Sequence, residues 1–434
     1  MKTLTILKHQ IPLRALVAAI AFTAAGIANA EGYENPVDLK ASDFVPASML
    51  QGALYSVDDK VTFEVGLPRY TIHSQYGTWQ ARGREMLEIR ISELPAFVQF
   101  DKISKTDEFA KAAGQALAAP VEMAGELIAH PVDTVGNMAS GIGLIASRVV
   151  NMAGSAVTKT TDTVSGDTKA QKPILKQQAA MSEGVAKPRA IIGGPLGYNQ
   201  KRREWAQQVK VDPYTNNAPL SDKLGDFAAA SFAGSFPVNI ALGVVAAPLQ
   251  YAVEFNQQGQ LEAYQYSPID IEMRNTDRLK KMGIEGLPVR TLLRNSYFTP
   301  TLQTALVLAL ESLGNVSGRT EVVQYASRAA SDIEARYVIN SVSLLSSYSR
   351  TDTPITSVRG ADNVLAAATA GGKLIVPVAM DYIPWVKPVD DFAHRTDLKG
   401  SERWVLVSGK VTPLAMQELN KLGWRVSENL AAAR

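Results

Sequence analysis

The sequence predicts an α+β chain, predominantly helical: an N-terminal β-hairpin followed by helices, a central helical region, and a small C-terminal α/β module containing a βαβ unit. Three observations predict it. Val61-Thr62-Phe63-Glu64-Val65 alternates apolar and polar residues with the period of a strand. Leu302, Leu306, Leu310 and Leu313 recur at helical spacing behind Thr299-Pro300, a cap followed by a first-turn proline. Trp404-Val405-Leu406-Val407, a helical stretch from Thr412-Pro413 to Leu422, the stop at Gly423 and Trp424-Arg425-Val426 read together as strand, helix, strand over 403–427.

Taken in order, residues 1–30 carry the three parts of a secretory signal. Lys2, Lys8 and Arg14 precede an uncharged run from Ala15 to Ile27, and Ala28-Asn29-Ala30 places small side chains at a cleavage site. The apolar run is shorter than the ~20 residues that cross a bilayer, so a cleaved signal peptide and a periplasmic destination are expected. Residues 31–56, with Gly32, Pro36 and Pro46 and no sustained period, form a lead-in segment. The next stretch, 57–154, holds a hairpin, Tyr70–Ser74 and Thr78–Ala81 around Gln75-Tyr76-Gly77, and then small-residue-rich helices. From Gly83 a helix is expected with Met86, Leu87, Ile89, Ile91, Leu94, Phe97 and Val98 on one side and Glu85, Glu88, Arg90 and Glu93 on the other; a strand through Leu87–Ile91 is the open alternative. Pro120-Val121-Glu122 with Gly125 recurs eleven residues later as Pro131-Val132-Asp133 with Gly136, which fits the first turns of two short helices. Residues 155–190 lack aromatic side chains and are expected to be a flexible linker. The helical region covers 191–350, with Asp212-Pro213 as a further helix start, and the C-terminal α/β module covers 351–434.

Composition bounds the function. The 434 residues are 46% hydrophobic and 20% charged, enough to bury a core. The absence of cysteine excludes disulfides, thiolate catalysis and cysteine-ligated metals. Removing the signal takes three of the 44 Lys and Arg and leaves 41 against 42 Asp and Glu, a net charge of −1. Such a chain offers no electrostatic basis for binding nucleic acid. Neither a Gly-x-Ser-x-Gly elbow, a Ser-x-x-Lys pair, a His-Glu-x-x-His helix nor a Walker loop occurs.

The remaining candidates lie mostly near the C-terminus. On a helix, Asp390 or Asp391, His394 and Asp397 come within one turn of each other, a set able to hold a divalent ion or position a general base. Arg395, Lys387 and Lys399 equally suit a solvated ion-pair cluster there. Asp381 follows the strand expected at Leu374–Ala379, where ligands gather in α/β layers, and converges with Asp390, Asp391 and His394 if the intervening loop folds back. Tyr382 and Trp385 offer rings for a sugar or another flat ligand, or else fill the core. Gly193-Gly194-Pro195-Leu196-Gly197 before Lys201-Arg202-Arg203 resembles either an anion cradle or a plain turn. Residues 227–253 carry no charge; two prolines divide them into pieces that suit a buried helical hairpin or peripheral contact with a lipid surface. The expected function is a non-enzymatic, exported cell-envelope protein that binds a protein or lipid partner without a cofactor. The alternative is a periplasmic hydrolase using Asp381, Asp390, Asp391 and His394, with a divalent metal.

Overall fold

In the computed structural model, which describes residues 32–35, 39–64, 66–118, 196–238, 254–362 and 364–430, the alternation that begins at Val61 becomes part of a five-stranded antiparallel sheet. Its strands are β1 (Gln51–Gly52), β2 (Tyr55–Val57), β3 (Thr62–Glu64), β4 (Leu67–Ser74) and β5 (Gly77–Arg82), and β4 pairs with β2, β3 and β5. The predicted hairpin forms with Ser74 opposite Gly77, leaving Gln75-Tyr76 as a two-residue turn. Tyr70 and Ile72 point into the core beneath it. The lead-in reading of 31–56 needs correction: two 3-10 turns, Ala41–Asp43 and Ala47–Met49, put Ala41, Val45 and Met49 into the same core. Turns bury apolar side chains without any regular period, so periodicity cannot detect them.

Helix α1 (Arg84–Ser104) follows Gly83, as the helical reading has it, and α2 (Asp107–Ala118) comes next. The polar side expected of α1 is not a solvated face, since Glu88, Arg90 and Glu93 are only 8%, 8% and 3% exposed. Further along lie α3 (Leu196–Gln208), α4 (Ala218–Ala233), α5 (Glu254–Gln265), α6 (Pro268–Lys281), α7 (Leu287–Leu293), α8 (Pro300–Ser312), α9 (Arg319–Ala326) and α10 (Asp332–Thr351). Thr299 caps α8 by accepting the Leu302 N–H, as its sequence predicts. Asp212-Pro213 starts no helix: Asp212 accepts the Tyr214 N–H to close a turn, and α4 begins only after Asn217, whose side chain accepts the Leu220 N–H.

The C-terminal part contains β6 (Ile355–Ala361), β7 (Val364–Thr369), β8 (Leu374–Val378), β9 (Tyr382–Ile383), α11 (Lys387–Ala393), β10 (Arg403–Val407), β11 (Lys410–Val411), α12 (Pro413–Lys421) and β12 (Trp424–Ser427). A mixed sheet has the order β12-β10-β8-β7-β6, antiparallel from β6 to β8 and parallel from β8 to β12. The predicted βαβ unit is β10-α12-β12, with Thr412 accepting the Ala415 N–H at the helix start. Strands β9 and β11 form a separate parallel pair.

The chain divides into two compact units. One comprises the described residues up to Ser92, those from 254 to Glu262, and those from Ile269 onward; the other comprises those from Glu93 to 238 and from Ala263 to Pro268. In the first, Leu306 and Leu310 of α8, Val342 and Leu345 of α10, and Val364, Ile375 and Val405 of the mixed sheet share one hydrophobic cluster. Position 350 thus separates two kinds of element inside one core, because a sheet face must be covered by helices to be buried. The second unit centres on aromatic packing, with Phe227 against Phe100, Phe109 and Trp205 at centroid distances of 4.4, 4.2 and 5.0 Å. The expected signal segment 1–30, the eleven-residue echo, the expected linker 155–190 and residues 239–253 lie outside the described residues. Among the described residues no helix is long and apolar enough to cross a membrane.

Candidate functional site

The loop leaving β8 carries Asp381 and is held by close backbone packing. Gly66, at a φ of +74°, lies where a side chain would meet Met380, and its carbonyl accepts the Tyr382 N–H at 3.2 Å. Gly409 lies directly against the Asp381 backbone, leaving no room for a side chain. So positioned, Asp381 Oδ2 accepts the Arg84 N–H at 2.6 Å, capping the first turn of α1. One turn on, Arg84 Nε donates to Glu88 Oε1 at 2.8 Å, while Glu85 receives Arg336 Nη1 at 2.8 Å and Asn340 Nδ2 at 2.6 Å.

Burial pushes the Asp381 carboxyl up to about 6, opposed by the Arg84 N–H and guanidinium and assisted by Glu85. Burial likewise pushes Glu88 up to about 7; the hydrogen bond and charge of Arg84 oppose this, and Glu85 and Asp381 reinforce it. The Tyr70 hydroxyl, raised mainly by burial and then by Asp381, is fully enclosed and makes no hydrogen bond. Two carboxyls therefore flank Arg84 and hold protons more tightly than free acids do. Sequence reasoning finds Asp381 and misses Glu88. The available signal is that apolar residues at 86, 87, 89, 91, 94, 96, 97 and 98 leave α1 no face wholly free for solvent.

The other sequence candidates have separate partners. Asp390 and His394 do come together: His394 Nδ1 lies 2.9 Å from Asp390 Oδ1, and the Tyr33 hydroxyl donates to Asp390 Oδ2 at 2.7 Å. His394 is the exposed C-cap of α11. Asp391 pairs with Lys387 at 2.6 Å and Asp397 with Arg395 at 2.5 Å, the solvated ion pairs that the neighbouring cations also predict. The four-residue convergence on a metal is not formed: Asp381 is engaged at α1, and among the described residues no group of three or more His, Asp or Glu could hold a metal ion. Trp385 is buried in the core, so it presents no face to a flat ligand. Tyr382 packs edge-on against Phe44 and Phe63 at 5.4 and 5.5 Å. Arg202, from the basic triplet, is buried and donates to the Pro213 carbonyl and to both oxygens of Ser221, which commits it to structure rather than to an anion.

No family model, no curated protein and no solved structure matches this chain.

Proposed function

We propose that the protein is a non-enzymatic, exported envelope protein that docks on an anionic lipid surface through α6 and α7. The observation that carries the reading is an exposed apolar row beside a basic stretch. Ile269 and Met273, one turn apart on α6, are 49% and 62% exposed, and Leu287 at the start of α7 is 67% exposed. Lys280, Lys281, Arg290 and Arg294 follow them, all exposed, against Asp277 and Glu285, while Asp270 and Glu272 lie among the apolar positions and Arg278 is paired with Glu262 at 2.5 Å. Cations near an anionic leaflet contribute about 1 kcal/mol each, and apolar side chains on an amphipathic helix insert at the headgroup boundary. The hydrolase reading rests on the Asp390–His394 contact alone, since Asp381 and Asp391 are bound elsewhere.

Vesicle flotation tests the proposal. The protein is expected to float with phosphatidylglycerol vesicles and not with phosphatidylcholine vesicles, and to detach at high salt. Ile269→Glu with Met273→Glu, both at exposed positions, should reduce flotation about tenfold with an unchanged circular-dichroism spectrum. Absence of flotation with phosphatidylglycerol would overturn the reading.

A further inference from the structure

The second unit contains a cleft of about 540 Å³, within the roughly 300–1,000 Å³ range of small-molecule sites. One wall is α3, which presents Lys201, Glu204 and Gln207 at three-residue spacing; the other is formed by Ser231, at the end of α4, and by Ser235 and Phe236 of the turn beyond it. Lys201 Nζ lies 2.8 Å from Glu204 Oε2, so the two charges neutralise each other and the cleft favours neither an anion nor a cation. The exposed Gln207 amide and Ser235 hydroxyl each offer both a donor and an acceptor.

The far wall is built to stay in place. Ser235 has a φ of +56°, fixed by the Gly234 and Phe236 N–H groups, which both donate to the Ala230 carbonyl at 3.0 and 3.2 Å. Gly234 itself sits against the Ala112 backbone, where no side chain fits. Trp205 Nε1 donates to Ser231 Oγ at 2.8 Å, and the buried Trp205 ring backs Phe236 nearly parallel at 6.1 Å, so the apolar lining of Phe236, Pro237 and Val238 rests on a fixed support.

We infer that this cleft binds a neutral, hydroxyl-rich ligand, a short oligosaccharide. Sugar hydroxyls donate and accept at once, as the amide and hydroxyl walls do, and sugar C–H groups suit the apolar lining of Pro237 and Val238. A fixed wall lowers the ordering cost of binding. The inference does not depend on the lipid-docking surface, which belongs to the other unit.

The test uses chain 31–434, titrated with chitotriose and with maltotriose by calorimetry, with tryptophan fluorescence as a second readout because Trp205 bonds to the lining Ser231. Inorganic phosphate and dilysine serve as charged probes. Ser235→Gly removes a hydroxyl at a backbone conformation glycine adopts freely, and Gln207→Ala removes an exposed amide. At least one trisaccharide should bind saturably, and each variant should weaken it about tenfold, one hydrogen bond's worth of affinity. Three results would overturn the inference: no saturable binding of either trisaccharide, saturable binding of phosphate or dilysine in their place, or trisaccharide binding unaltered in both variants.

Discussion

Asp381 and Glu88 make the stability of the fold depend on pH in a direction opposite to that of an ordinary salt-bridged acid. Their folded-state values, about 6 and about 7, lie above those of free carboxyls near 4, so between those limits the folded state binds more protons than the unfolded one. Their contribution is complete below about pH 4 and is lost as the pH rises through 6 and 7. Melting temperature should therefore fall between pH 5 and pH 8, once other carboxyls are accounted for by comparison with Asp381→Asn and Glu88→Gln. Asn keeps an oxygen for the Arg84 N–H without a buried charge, so Asp381→Asn should melt higher than the wild type at pH 8 and show a flatter profile; identical profiles would refute this account. His394→Ala, by contrast, breaks an exposed pair and should cost less than about 1 kcal/mol in urea denaturation. That Asp381 follows a strand is legible in Leu374–Ala379, of which Leu374–Val378 forms β8. Its partner is not, because Arg84 lies 297 positions away and local pattern carries no record of such a contact.

Among the elements, legibility follows how local the deciding interaction is. Thr299-Pro300 and Thr412-Pro413 start helices because each threonine hydroxyl accepts an N–H three residues on, within the motif itself. Asp212-Pro213 looks the same in sequence, yet its carboxylate takes the N–H two residues on and closes a turn. The leucine spacing of α8 correctly marks a buried helix, but Thr301, Gln303 and Thr304 are buried as well, since α8 is covered on more than one side. Gln303 Nε2 satisfies the Leu293 and Phe298 carbonyls, and Asn275 donates to Thr304. Leu306 sits at the centre of this packing with no exposed surface. Leu306→Ala should therefore lose about 2–5 kcal/mol, seen as a lower urea midpoint at unchanged slope. A loss below 1 kcal/mol would mean that the site collapses around the deletion and that α8 is not the rigid centre of its core.

At the level of the whole molecule, the first unit closes the two ends of the described chain onto each other through Glu34. Its backbone N–H donates to the Trp385 carbonyl at 2.8 Å, and its carboxylate receives the Trp385 N–H at 2.5 Å and the Thr412 hydroxyl at 2.6 Å. Thr412 is also the cap of α12, so one acidic side chain ties the chain start to the loop after β9 and to the βαβ unit. Nothing in residues 31–56 announces this, because a single carboxylate acting across about 350 positions leaves no period or motif. Glu34→Ala leaves the Trp385 N–H and the buried Thr412 hydroxyl short of an acceptor, and an unmet buried donor costs about 1–3 kcal/mol. Both donors reach the same oxygen, Oε2, so the single amide oxygen of Glu34→Gln can accept both, less strongly than a carboxylate, and should recover part of the loss. The expected order of urea midpoints is wild type, then Glu34→Gln, then Glu34→Ala. A chain shortened to begin at residue 36 should reproduce the Glu34→Ala defect and lose the Tyr33–Asp390 hydrogen bond with it. If the shortened chain matched the wild type, the contacts of Glu34 would contribute nothing to stability, and the described part of the first unit would hold together through its hydrophobic clusters alone.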